Sequence, residues 1–143
     1  MSFKHRFLMA LALWLAACAL GVYSVRAQAI NPSVTQANIH ETICVKSWTK
    51  TVRPSSYYTN KIKKRLMKEQ GIPLADMSKY ELDHIIPLDL GGAPRDPANM
   101  MLQPWSQADK KDGDERRMKN LVCKGTLTLE NGQQYFVTQW RKT

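Results

Sequence analysis

Three histidines, three cysteines and a span from Ile43 to Lys68 without a single acid are the scarcities that bound this 143-residue sequence. Its length leaves no room for two independent cores, and no internal repeat or low-complexity segment is visible. Cys44 and Cys123 are too far apart, with no histidine pair nearby, to build a zinc site. No histidine follows His84. The acid-free span carries eight bases, Lys46, Lys50, Arg53, Lys61, Lys63, Lys64, Arg65 and Lys68, with Trp48, Tyr57 and Tyr58 among them. Such a stripe suits a phosphate backbone, and it equally suits a solvated helix face.

The N-terminus reads as a targeting segment over residues 1–27. Lys4 and Arg6 precede an almost wholly apolar run from Phe7 to Val25, and Val25-Arg26-Ala27 offers a signal-peptidase exit. A membrane anchor is the competing reading, since the run is long enough to span. Leu15-Ala16-Ala17-Cys18 also resembles a lipoprotein box, which would lipidate Cys18. The apolar continuation from Ala19 to Val25 favours simple secretion over lipidation, and both routes predict export to the periplasm or beyond. Removal of Lys4, Arg6 and Arg26 lowers the formal charge from +9 to +6. In an oxidising compartment Cys44 and Cys123 are expected to pair, the alternative being two free buried thiols. The closed loop would stabilise the fold by roughly 4 kcal/mol in the chain-entropy model.

The remainder divides into a flexible lead-in over 28–42 and one domain over 43–143. Residues 43–58 read as extended structure plus loop. A short helix capped by Thr59 or Asn60 is expected to run to about Gln70, stopped by Gly71 and Pro73. Tyr80 to Ile86 reads as a strand, the Gly91-Gly92 and Pro94 to Pro97 stretch as a loop, and Asn99 to Leu102 as a second strand. Ser106 and Asp109 form a capping-box pattern for a helix reaching about Cys123, with a possible bend at Gly113. In the tail, Glu130-Asn131-Gly132-Gln133 signals a hairpin, whereas Leu129, Phe136, Val137 and Trp140 share one helical face.

The stretch from Tyr80 to Glu115 (YELDHIIPLDLGGAPRDPANMMLQPWSQADKKDGDE) has the strand–loop–strand–helix order of the HNH, or His-Me finger, nuclease motif, and it resembles small exported HNH proteins. The similarity covers about residues 42–143, including TICVKSWTKTVRP around Cys44 and LVCKGTLTL around Cys123. It implies an α+β fold with a ββα-metal core and flanking helices, and a metal-dependent endonuclease of low sequence specificity acting on nucleic acid, DNA before RNA. By that resemblance His84 would be the general base, Asp83 a ligand of one divalent ion (Mg²⁺, with Mn²⁺ as the alternative), and Asn99 a brace on the backbone or ring of His84. Tyr80 to Leu102 and the helix after them thus carry the whole functional expectation. The tail reading follows the resemblance towards a helix.

The chemistry accounts for these residue types. Phosphodiester hydrolysis needs a base for the attacking water, and an imidazole accepts a proton near neutral pH. A hard cation with oxygen ligands stabilises charge on the phosphate. The pattern departs from the family at its third position, where Gln107 or Ala108 stands in place of histidine or asparagine. Gln107 can offer a carbonyl oxygen as a metal ligand. Lys111 and Arg95, with Lys61 and Lys64 on the basic stripe, are the candidate phosphate contacts. Lys111, Asp112, Glu115 and Arg116 alternatively form an ion-pair cluster along one helix. His40 reads as a surface residue. If the missing ligand disables the chemistry, a non-catalytic nucleic-acid-binding module remains.

Overall fold

A computed structural model describes residues 29–140. The expected targeting segment, with Cys18, lies outside the described residues. The chain is α+β. Helices α1 (Trp48–Val52) and α2 (Ser56–Glu69) precede strand β1 (Tyr80–His84). Strand β2 (Met100–Pro104) runs straight into α3 (Trp105–Cys123), and α4 (Leu129–Thr138) closes the chain. The strands pair antiparallel, from Tyr80 opposite Pro104 to His84 opposite Met100. Both α2 and α3 pack against the two strands.

Helix α2 starts earlier than the sequence suggests, because Ser55 rather than Thr59 or Asn60 accepts the Tyr58 N–H as its cap. It buries Ile62 and Met67. The region 43–58, read as extended, instead holds the short helix α1, entered through Ser47 in a left-handed conformation at φ 66°. Helix α3 begins directly after Pro104, with no side-chain cap. Ser106 therefore already lies inside the first turn, and the expected Ser106–Asp109 capping box is not the helix entry. The helix runs unbroken through Gly113 and buries Ala108, Lys111, Met118 and Val122 along one stripe.

The tail is helical. Thr128 caps α4 by accepting the Asn131 N–H, and Leu129, Gly132, Gln133 and Phe136 are buried. Packing overrides the Asn131-Gly132 turn signal. A Cβ at Gly132 would stand 3.0 Å from Val122 and 3.4 Å from Leu90, so the glycine lets α4 approach α3 closely.

The lead-in over 28–42 is not a loose tether where it is described. It forms a 3-10 helix over Gln36–Glu41 and contributes Val34 and Ile39 to the core with Ile43, Leu90, Met118, Val122, Leu129 and Phe136. Gln36 also accepts the Leu129 N–H at the start of α4. Cys44 and Cys123 form the expected disulfide, tying the chain just after this segment to the end of α3. That bond points to a non-reducing, extracytoplasmic compartment. Among the described residues no helix is long and apolar enough to cross a membrane.

Candidate active site at the end of β1

Between β1 and β2 the chain makes a tight excursion over residues 85–99, and one side chain braces it. Asn99 is fully buried; its Oδ1 accepts the Ile86 N–H at 2.8 Å, and its Nδ2 donates to the carbonyls of Ile86 at 3.0 Å and Ala93 at 3.1 Å. The Asn99 carbonyl also accepts the Ile85 N–H. Gly92 is required within this knot, since a Cβ there would fall 1.8 Å from the Ile86 carbonyl oxygen and 2.8 Å from Asn99 Nδ2. The brace reaches Ile86 and Ala93 rather than His84 itself, which corrects the expected contact. Its influence on His84 passes through Pro94, the residue after Ala93.

His84 ends β1 and is 7% exposed. Its Nε2 lies 3.1 Å from the Pro94 carbonyl oxygen. A carbonyl can only accept, so this bond places the proton on Nε2 and leaves the lone pair of the neutral ring on Nδ1. Nδ1 has no hydrogen-bond partner among the described residues, and the buried side-chain atoms without partners belong to Gln103 alone. Burial lowers the His84 pKa below its ordinary value, with Arg53 and Lys111 acting the same way against the Pro94 bond and Asp83. A neutral imidazole with an unpaired ring nitrogen is the protonation state that a general base needs.

Asp83 adjoins His84 but faces a different partner set. Its Oδ1 accepts the His84 N–H at 2.7 Å and its Oδ2 accepts from Lys111 Nζ at 2.8 Å. Lys111 corrects a second expectation. It is wholly buried rather than available to a phosphate. Its ammonium donates to Asp83, to the His84 carbonyl at 2.7 Å and to Glu115 at 2.5 Å. The i,i+4 pairing of Lys111 with Glu115 is the ion-pair alternative that the sequence also allowed. Burial pushes the Glu115 carboxyl up to about 7, against the pull of Lys111.

The remaining candidates are distributed around this centre. Arg95, exposed on the loop next to Pro94, lies 5.7 Å over the Tyr58 ring, and the Tyr58 hydroxyl donates to the Arg95 carbonyl. Lys61 and Lys64 are exposed on α2. Gln107 is exposed and lines an open cleft of about 820 Å³ with Gln70, Gln103, Lys110, Asp114 and Trp140. Neither Asp83 nor His84 lines that cleft. His40 is exposed, as expected.

A divalent ion at Asp83 does not fit this donor set as it stands, because one carboxylate oxygen holds an ammonium and the other a backbone N–H. The side chains of Asp83, His84 and Asn99 share one corner of the fold, each held by its own partners: Lys111 and the His84 N–H for Asp83, the Pro94 carbonyl for His84, and Ile86 and Ala93 for Asn99. Sequence reasoning missed two participants. Arg53 lies near enough to depress His84 and to lower Glu81, whose carboxyl burial raises. The Pro94 carbonyl orients the imidazole. Arg53 was legible only as one base in the acid-free stripe, and a backbone carbonyl leaves no sequence signal at all. In comparison with known proteins, no family model, curated sequence or solved structure matches the chain.

Proposed function

We propose that this protein is an exported endonuclease of the HNH type that hydrolyses phosphodiester bonds in nucleic acid, with DNA the first substrate to test. The observation that carries the reading is His84, whose Nε2 is held by the Pro94 carbonyl while Nδ1 has no hydrogen-bond partner among the described residues. The strand–loop–strand–helix order around it, with Asn99 bracing the loop, supports the same assignment.

In this reading a water molecule gives its proton to His84 Nδ1 as its oxygen bonds to phosphorus. The P–O bond to the departing nucleotide breaks, and that oxygen takes a proton from solvent. Arg53, near His84, and Arg95, beside Pro94, are the cations placed to meet the phosphate. Lys61 and Lys64 extend the positive surface along α2 and favour a polyanionic substrate. The Mg²⁺ or Mn²⁺ that the family resemblance implies enters no step here, because Asp83 is already engaged.

The test is nicking of supercoiled plasmid by the purified, disulfide-bonded protein, with Mg²⁺ or Mn²⁺ and separately with EDTA. Wild type nicks under at least one condition, and His84→Ala loses about 100-fold or more of the rate, the scale of general-base catalysis. Equal rates for the two proteins, or no nicking under any condition, would contradict it.

The missing third ligand at Gln107 favours a second reading, a nucleic-acid-binding module without turnover. That module would bind plasmid with a steep salt dependence and leave it intact.

A further inference from the structure

We propose that Lys111 is the resident cation of this site, its ammonium filling an oxygen cage of the kind a divalent metal would otherwise take, and that the site works without a metal. The inference rests on the hydrolytic reading for its functional consequence, while the cage itself can be tested separately.

An ammonium has three N–H donors and no acceptor. Lys111 spends all three on oxygens: Asp83 Oδ2, the His84 carbonyl and Glu115 Oε1. Two carboxylates and a backbone carbonyl are a donor set that suits a hard divalent ion. The Phe136 and Trp140 rings lie 5.3 and 5.7 Å from Nζ and add cation–π attraction. The side chain of Lys111 is 0% exposed, so its stem is enclosed as fully as its head is bonded.

A divalent ion on Asp83 would bind about 2.0–2.6 Å from its oxygen. Nζ already stands 2.8 Å from that carboxylate. A second cation on the same carboxylate would repel the ammonium, and Lys111 is wholly buried with its three donors already on oxygens. The ammonium therefore takes the place of the metal.

Its work is positional. Asp83 grips the His84 N–H and Lys111 grips the His84 carbonyl, while Lys111 and Asp83 bond each other. This closed ring clamps the backbone of the base from both sides, as the Pro94 carbonyl holds its ring. Lys111 is a positioning residue and does not touch the phosphate.

The experiment pairs cleavage with metal binding. Plasmid nicking by wild type is measured in EDTA and in Mg²⁺, and Mn²⁺ is titrated calorimetrically into wild type, Asp83→Ala and Lys111→Ala. The expected result is equal nicking in EDTA and Mg²⁺, with no Mn²⁺ taken up by wild type. Lys111→Ala, its cage vacated, loses nicking in EDTA and gains a Mn²⁺ site. Nicking by wild type that EDTA abolishes and Mg²⁺ restores would overturn the proposal while leaving the nuclease reading intact. So would Mn²⁺ binding by wild type that Asp83→Ala removes, or a folded Lys111→Ala that takes up no Mn²⁺. If wild type never nicks, the nuclease reading falls, and the Mn²⁺ titrations still decide the cage. Should Lys111→Ala fail to fold, the wild-type and Asp83→Ala measurements carry the decision alone.

Discussion

Two polar regions of this small domain are built on opposite terms. Around Lys111 every donor of a buried ammonium meets an oxygen and little solvent enters. Around Gln103 lies the roomy cleft, yet the Gln103 amide, 1% exposed, has neither its nitrogen nor its oxygen paired among the described residues. Volume and preparation are separate properties. The cleft offers space with an unpaired amide in its wall, whereas the cage offers almost no space and fixes the backbone of His84. Polar satisfaction locates the candidate site here, and the size of a concavity does not.

Breaking the cage has the largest expected effect. Lys111→Met leaves Asp83, Glu115 and the His84 carbonyl without their shared donor and destabilises the protein by about 3–5 kcal/mol, measured by urea denaturation. A loss below about 1 kcal/mol would place the ammonium among surface-type pairs and erase the contrast.

A pH series examines the same cage from its acid. The Glu115 carboxyl, at about 7 in the fold against 4.5 for the ordinary group, binds its proton more tightly when folded. Its stabilising contribution is complete below 4.5 and is lost as pH rises through 7. Relative to Glu115→Gln, wild type therefore loses up to roughly 3 kcal/mol between those limits. The depressed His84 works in the other direction in both proteins and cancels in the difference. Parallel stability curves for the two would contradict the assignment.

Asn99→Ala should cost about 2–3 kcal/mol, since it orphans the Ile86 N–H and frees two buried carbonyls. It should also slow nicking, because the loop that presents Pro94 loosens. Full activity in a destabilised variant would confine Asn99 to stability. The smallest effect lies in the cleft, where Gln103→Leu removes an unpaired amide and is expected to be neutral or to gain up to about 1 kcal/mol. A marked loss would mean that the amide has a partner in solution.

Local signals were readable wherever the chain decides its own conformation. The two strands, the glycine-bearing loop and a helix ending at Cys123 are legible from Pro87, Gly91-Gly92, Pro94 to Pro97 and Gly125, although the helix opens at Trp105 rather than at the expected Ser106–Asp109 box. Cys44 and Cys123 were legible from their number. What escaped depends on contacts distant in sequence. Val34 and Ile39 sit in a weakly patterned segment and become core only because α3 and α4 are there to cover them. Gly132 reads as a turn until Val122 lies 3.0 Å from its missing Cβ. Lys111 carries the composition of a surface residue, and only the pairing of β1 with β2 beneath α3 brings Asp83 and the His84 carbonyl to its head. At the site, Asp83, His84 and Asn99 are singled out through the family resemblance, while the Pro94 carbonyl and the burial of Lys111 leave no signal in the sequence.

Nitrogen-15 NMR of the His84 imidazole at pH 7 tests the assignment of the base most directly. The structure predicts a neutral ring protonated at Nε2, with Nδ1 showing the shift of an unprotonated nitrogen. A ring protonated at Nδ1, or an imidazolium at that pH, would contradict it.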